Sequence, residues 1–223
     1  MATPLDLQEQ EQIDALRSFW KQYGNLITWT LVLVLAAFAA WNGWNWYQRD
    51  QAQKAGAMFD ELERAAQAGD ADRSSRVFGD LKERFARTAY AQQGGLLAAK
   101  VLAEKGRSAD AITSLQWVAG NALEQELRTI ARMRLAGLMA DAGQHEAALK
   151  ELDTVTAEGF EALVADRRGD VLLSMGRKDD AAKAYRLAWD KMPSTVQYRG
   201  LIETKLTALG AVPPSLAASG VTR

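Results

Sequence analysis

Apolar and polar positions divide this chain into two regimes. No charged residue occurs between Lys21 and Arg49, and the heart of that stretch is LITWTLVLVLAAFAAWNGWNW, residues 26–46. Its 21 residues would rise about 32 Å at roughly 1.5 Å each, close to the thickness of a hydrocarbon core. The pattern therefore predicts a membrane-spanning helix. Trp20, Tyr23 and Trp29 lie toward one end of it, while Trp41, Trp44, Trp46 and Tyr47 crowd the other, as aromatic belts do at headgroup level. Lys21 and Arg49 are placed to reach into the headgroups.

Two other readings of the stretch are weaker. A cleaved signal peptide would use residues 31–39 as its apolar region and Ala37-Phe38-Ala39 as the cleavage site. The preceding segment, however, carries Asp6, Glu9, Glu11 and Asp14 against only Arg17 and Lys21, and the run continues past that site into three tryptophans. A buried soluble helix is disfavoured because such helices seldom stay uncharged on every face for six turns.

Flanking segments follow helical spacing. Ile13, Leu16 and Trp20 predict a short amphipathic lead-in helix, whose acidic polar face is unlike that of a basic membrane-surface helix. After Tyr47, Ala55, Phe59, Leu62 and Ala66 recur at i, i+4, i+7 and i+11, so the span is expected to run directly into a domain's first helix.

From there the pattern repeats. Gly69, Gly106, Gly143 and Gly176 each stand where a first helix should stop, and their separations of 37, 37 and 33 residues fall in the range of two-helix tetratricopeptide-type units. Each suits the left-handed backbone needed at a helix end. Leu102, Met139 and Leu172 lie four before the glycine. Ala111, Ala148 and Ala181 lie five after, where small residues let paired helices approach. Leu115, Leu152 and Tyr185 lie nine after, and Val118, Val155 and Ala188 twelve after. Gly169 occupies the small position of the fourth first helix, and Pro193 stands where the pattern ends a repeat. The first unit is looser, with Ser74, Phe78 and Leu81 after Gly69, as expected of an end unit.

Beyond Pro193, Ser194 is placed to cap a last helix reaching about Leu209, with Val196, Leu201, Ile202 and Leu206 available to cover the stack. Gly210 and Pro213-Pro214 then stop it, and the closing SLAASGVTR is too poor in apolar residues for a core, so a mobile tail is expected. The fold expected is all-α: a short segment (1–24), one transmembrane helix (25–47), a tetratricopeptide-like helical-hairpin solenoid with a C-terminal capping helix (48–210) and a flexible tail (211–223).

Composition narrows the chemistry. The 223 residues are 48% hydrophobic and 25% charged, enough for the span and one domain with a real core, while a net charge of −1 and the lack of a basic stripe argue against nucleic-acid binding. Without cysteine there is no disulfide framework, zinc knuckle or thiol nucleophile. His145 is the only histidine and follows a turn glycine, which fits a surface turn residue better than a catalytic or metal site. Asp70, Asp72, Asp179 and Asp180 fall in turns between helices, where aspartate most often caps. No phosphate loop or nucleophile elbow occurs, and Gly94-Gly95 lacks a dinucleotide site's flanking glycines. No cofactor, metal or catalytic residue is expected.

In tetratricopeptide geometry the inner faces of successive first helices would present Gln93, Leu96, Lys100 and Glu104, then Met133, Gly137 and Asp141, then Asp166, Asp170 and Leu173. So mixed a surface suits a protein partner better than a small ligand. The dense cluster Asp166-Arg167-Arg168-Gly169-Asp170 reads either as part of that lining or as a solvated helix face.

The combination of EQEQIDALRSFWKQYG, ITWTLVLVLAAFAAWNGWNWYQ and ELDTVTAEGFEALVADRRGDVLLSMGRKDDAAKAY (151–185) resembles the ancillary SecYEG translocon subunit family of Gram-negative bacteria. The resemblance implies an inner-membrane, single-pass protein with a cytoplasmic amino terminus and a periplasmic repeat domain. It further implies association with the SecYEG translocon and with a membrane-anchored peptidyl-prolyl isomerase-like chaperone, and help in handing over emerging polypeptide chains. Charge leaves orientation open, since Arg17 and Lys21 before the span are balanced by Arg49 and Lys54 after it. A membrane-tethered scaffold of another envelope assembly is the alternative function.

Overall fold

The computed structural model describes residues 7–211, with side chains from Gln10 onward. These residues form nine α-helices and no strand: α1 Leu7–Gln67, α2 Ala71–Arg84, α3 Ala89–Glu104, α4 Ser108–Asn121, α5 Gln125–Asp141, α6 His145–Asp153, α7 Glu161–Ser174, α8 Lys178–Lys191 and α9 Arg199–Ala208. The chain divides into two compact units at Gln51/Ala52, and α1 contributes to both. The tail expected from 211 lies, apart from Ala211, outside the described residues.

In the first unit, the expected lead-in helix is continuous with the apolar stretch rather than separate. That stretch is long and apolar enough to cross a membrane and is almost wholly unburied. Its polar side chains bond back onto their own helix. Thr28 Oγ1 donates to the Gly24 carbonyl, Thr30 Oγ1 to that of Leu26, and Asn42 Nδ2 to that of Phe38, at 2.8, 2.8 and 2.9 Å. Each of these bonds meets a donor that would cost several kcal/mol if left unsatisfied in hydrocarbon.

The second unit is a stack of hairpins. Within it α3 pairs with α4, α5 with α6 and α7 with α8, while α3, α5 and α7 also contact one another in series as the first helices of successive units. Cores form between successive helices: Leu62, Phe78, Leu81 and Ala98 join the end of α1 to α2 and α3; Leu102, Leu115, Val118 and Leu135 join α3 to α5; Ala136, Ala148, Leu152 and Val171 join α5 to α7; and Leu172, Tyr185, Ile202 and Leu206 join α7 to α9.

The aligned glycines work as the spacing predicts. Gly69, Gly106, Gly143 and Gly176 have φ of 65, 74, 76 and 75°. At each, the amide just after the glycine, three residues past the helix end, reaches back: Asp70 N–H donates to Ala65 O at 2.9 Å, Arg107 to Leu102 O at 2.8 Å, Gln144 to Met139 O at 2.8 Å and Arg177 to Leu172 O at 3.0 Å. The fixed residue four before each glycine is therefore the one whose carbonyl closes the turn. Ala111, Ala148 and Ala181 are all fully buried, and Ser74 fills the same position in the first unit. Gly169 lets α8 close on α7, since a Cβ there would meet Tyr185 Cε1 at 2.4 Å. Gly95 plays the same part against Val118, at 2.4 Å from its Cγ2.

Three details differ from the spacing's prediction. Helix α6 stops at Asp153, so Val155 lies in a connecting loop, half-buried, rather than on a second helix. Thr154-Val155-Thr156 is β-branched and Gly159 adopts φ 81°, both poor continuations of a helix. The last helix begins at Arg199 with Tyr198 as its N-cap, and Ser194 caps nothing. Of the four apolar residues expected to cover the stack, Ile202 and Leu206 are buried; Leu201 is exposed because an amphipathic helix turns only one stripe inward, and Val196 is exposed in the connection before α9.

Candidate protein-interaction surface

The first helices place the candidate residues, but not all on one accessible face. Lys100 and Glu104, one turn apart on α3, are exposed and 3.9 Å from each other. With Gly137 and Asp141 of α5 they edge a cleft of ≈ 420 Å³, floored by Ala99, Ala103, Leu115 and Leu138. Arg134 and Arg167 complete its rim. Arg167 belongs to the cluster read as a possible lining, whereas Arg134 was not expected there, although each stands nine residues before its turn glycine. Gln93 and Leu173 are exposed outside the cleft. Leu96 and Met133 are half-buried against the cores and belong as much to packing as to surface.

The charged cluster on α7 splits three ways, because consecutive side chains leave a helix about 100° apart. Arg167 goes to the cleft, and Arg168 pairs with Asp153 of α6. Asp166 is only 3% exposed, which corrects both expectations for it: it is neither solvated nor free to line a groove. Its carboxylate accepts Tyr198 Oη–H at 2.7 Å and Lys205 Nζ–H at 2.8 and 2.9 Å, all from the capping segment. Asp170, half-buried, accepts from Tyr185 Oη at 2.8 Å and Lys205 Nζ at 2.6 Å. The desolvation of two carboxylates is offset here by a half-buried ammonium and two phenols, which latch α9 onto α7. Burial and, next, the hydrogen bond to Asp170 push the Tyr185 phenol well above its ordinary range, and burial with the bond to Asp166 does the same for Tyr198. Arg199, 3.9 Å from the Trp189 ring, adds a cation–π contact.

His145 lies at the start of α6, with Nδ1 3.2 Å from Ser174 Oγ. Among the described residues no three His, Asp or Glu side chains converge to hold a metal. Of the turn aspartates, Asp70 caps α2 by accepting from Arg73 N at 2.9 Å, whereas Asp180 instead takes up Arg177 and Lys183. Its hydrogen bond from Arg177 holds its carboxyl below the usual range.

On the apolar helix, Trp20, Lys21, Trp41, Trp44, Trp46 and Arg49 are all exposed, and Trp44 stacks against Tyr47 with ring centroids 6.1 Å apart. The helix carries much exposed aromatic and aliphatic surface, and the domain a mixed-charge cleft, features that mark contact surfaces.

A family model described as a tetratricopeptide repeat-like domain matches residues 17–211, taking in the apolar helix as well as the hairpins. The chain is also 30% identical over 180 residues to the "Ancillary SecYEG translocon subunit" of Escherichia coli (strain K12), covering 79% of this chain and 85% of that protein. The chain belongs to the ancillary SecYEG translocon subunit family. Members so named from Neisseria gonorrhoeae (strain ATCC 700825 / FA 1090), at 28% identity over 91% of this chain and 98% of theirs, and from Haemophilus influenzae (strain ATCC 51907 / DSM 11121 / KW20 / Rd), at 26% over 82% and 89%, share nearly the same extent. Membership in the ancillary SecYEG translocon subunit family thus covers both the candidate membrane span and the repeats.

Proposed function

We propose that this chain is a non-enzymatic, inner-membrane-anchored interaction protein of the SecYEG translocon, with its amino terminus in the cytoplasm and its repeat domain in the periplasm. There the domain docks a membrane-anchored peptidyl-prolyl isomerase-like chaperone and emerging envelope proteins. The observation that carries the reading is the extent of the family match, which runs through the apolar helix and the hairpins as one piece. The physics agrees with it. Tethering to the membrane raises the domain's effective concentration toward membrane partners.

Crosslinking in native membranes, with photoreactive residues along 26–46 and along the cleft, tests the assignment. Adducts with translocon subunits are expected from the span, and adducts with the chaperone or a nascent chain from the cleft. Adducts only with an unrelated envelope assembly would establish the alternative scaffold. Protease added to intact spheroplasts should degrade residues 55–210, and full protection would reverse the orientation. Amino-terminal sequencing should find the span retained, whereas a start at Ala40 or Trp41 would make it a signal peptide.

A further inference from the structure

The cleft has a charge layout that specifies its ligand further than "protein". Glu104 and Asp141 are the last residues of α3 and α5, each two before its turn glycine, so they share one edge, where Lys100 lies 3.9 Å from Glu104 and leaves Asp141 as the unpaired acid. Arg134 and Arg167 are likewise equivalent, nine before Gly143 and Gly176, and form the opposite edge. Seven helical residues separate the two edges, about 10.5 Å at 1.5 Å each. Arg134 and Asp141 are exposed and have no hydrogen bond or ion pair among the described residues. Between them Gly137 carries no side chain, and the Arg167 guanidinium would lie 3.4 Å from a Cβ added there. The floor is apolar, from Ala99, Ala103, Leu115 and Leu138.

We propose that this notch binds an extended stretch of unfolded polypeptide in which an acidic and a basic side chain lie about three residues apart around an apolar one. The inference rests on reading the concave face as a docking surface. The acid meets Arg134, the base meets Asp141, and the apolar side chain settles on Leu115 and Leu138, while Arg167 and Glu104 keep their own partners Asp170 and Lys100. An extended chain covers about 10 Å in three residues, matching the distance between the edges.

Two fluorescein-labelled dodecapeptides on a Gly/Ser background, one carrying Glu-Leu-Ser-Lys and the other Lys-Leu-Ser-Lys, test this by anisotropy with the full chain in lipid nanodiscs. The wild-type protein should favour the first by about fivefold, since one exposed ion pair is replaced by repulsion. Arg134→Glu leaves Arg167 as the only cation of that edge and should cut the preference to less than about twofold. Asp141→Lys should instead favour a Glu-Leu-Ser-Glu peptide over the first. Both positions are exposed, and circular dichroism checks that the variants keep wild-type helicity. Equal affinity for the peptides, absence of binding, or a preference unmoved by the charge reversals overturns the inference. If translocon subunits still co-purify in that event, the docking role stands and only the ligand class fails. If discrimination holds while co-purification is lost, the notch stands and the translocon assignment fails.

Discussion

Replacing Gly169 by alanine sets two opposing effects against each other. In a helix interior alanine is favoured over glycine by about 1 kcal/mol through backbone entropy. Against this, the new Cβ would lie 2.4 Å from Tyr185 Cε1 and 2.5 Å from its Cδ1. That ring cannot step aside cheaply, being 1% exposed with its hydroxyl bonded to Asp170 at 2.8 Å. Overpacking of this kind costs about 1–3 kcal/mol, so the net expected is a loss of about 0–2 kcal/mol, centred near about 1 kcal/mol. Gly79, inside α2 with nothing within 4 Å of an added Cβ, is the matched control, and Gly79→Ala should stabilise by about 0.5–1 kcal/mol. Urea unfolding of the full chain in detergent, followed by far-ultraviolet circular dichroism, reads both. In a Tyr185→Leu background the clash is gone and Gly169→Ala should turn neutral or stabilising. A higher urea midpoint for Gly169→Ala in the wild-type background would refute the close-approach argument.

Lys205→Met removes the cation from the α7 latch and leaves Asp166, whose side chain is 4% exposed, with only Tyr198. Breaking a buried pair costs about 3–5 kcal/mol, and the 22% exposure of the lysine side chain lowers that to about 2 kcal/mol. Hydrogen exchange in α9 should then quicken by more than tenfold, and unchanged protection would show the latch to be energetically idle. Tyr185 and Tyr198 hold their protons above the pH at which an unfolded chain releases them, so their stabilisation is intact below about pH 10 and declines as pH rises through it. Ultraviolet titration should find two of the five tyrosines ionising only with unfolding. Normal titration of all five in the folded protein would contradict their burial against Asp170 and Asp166.

The residues alone determined what depends on local or strictly periodic constraints. An uncharged run of this length needs no partner to be recognised as a possible span. Glycines at fixed intervals mark helix ends because positive φ is a property of the residue itself, and Ala111, Ala148 and Ala181 mark crossings because no larger side chain fits beneath a paired helix. What the tertiary structure alone decided was the fate of each charge. Asp166, Arg167 and Arg168 are neighbours in sequence yet reach α9, the cleft and α6, because a helix turns each side chain about 100° from the last and the element waiting there comes from elsewhere in the chain. Lys205, the partner that buries Asp166, lies 39 residues away, and no spacing rule points to it. The cleft arose likewise, since Arg134 and Arg167 become one edge only when α5 and α7 stack. Periodicity tells which face of a helix is apolar, but the polar face acquires its meaning only from what packs beside it.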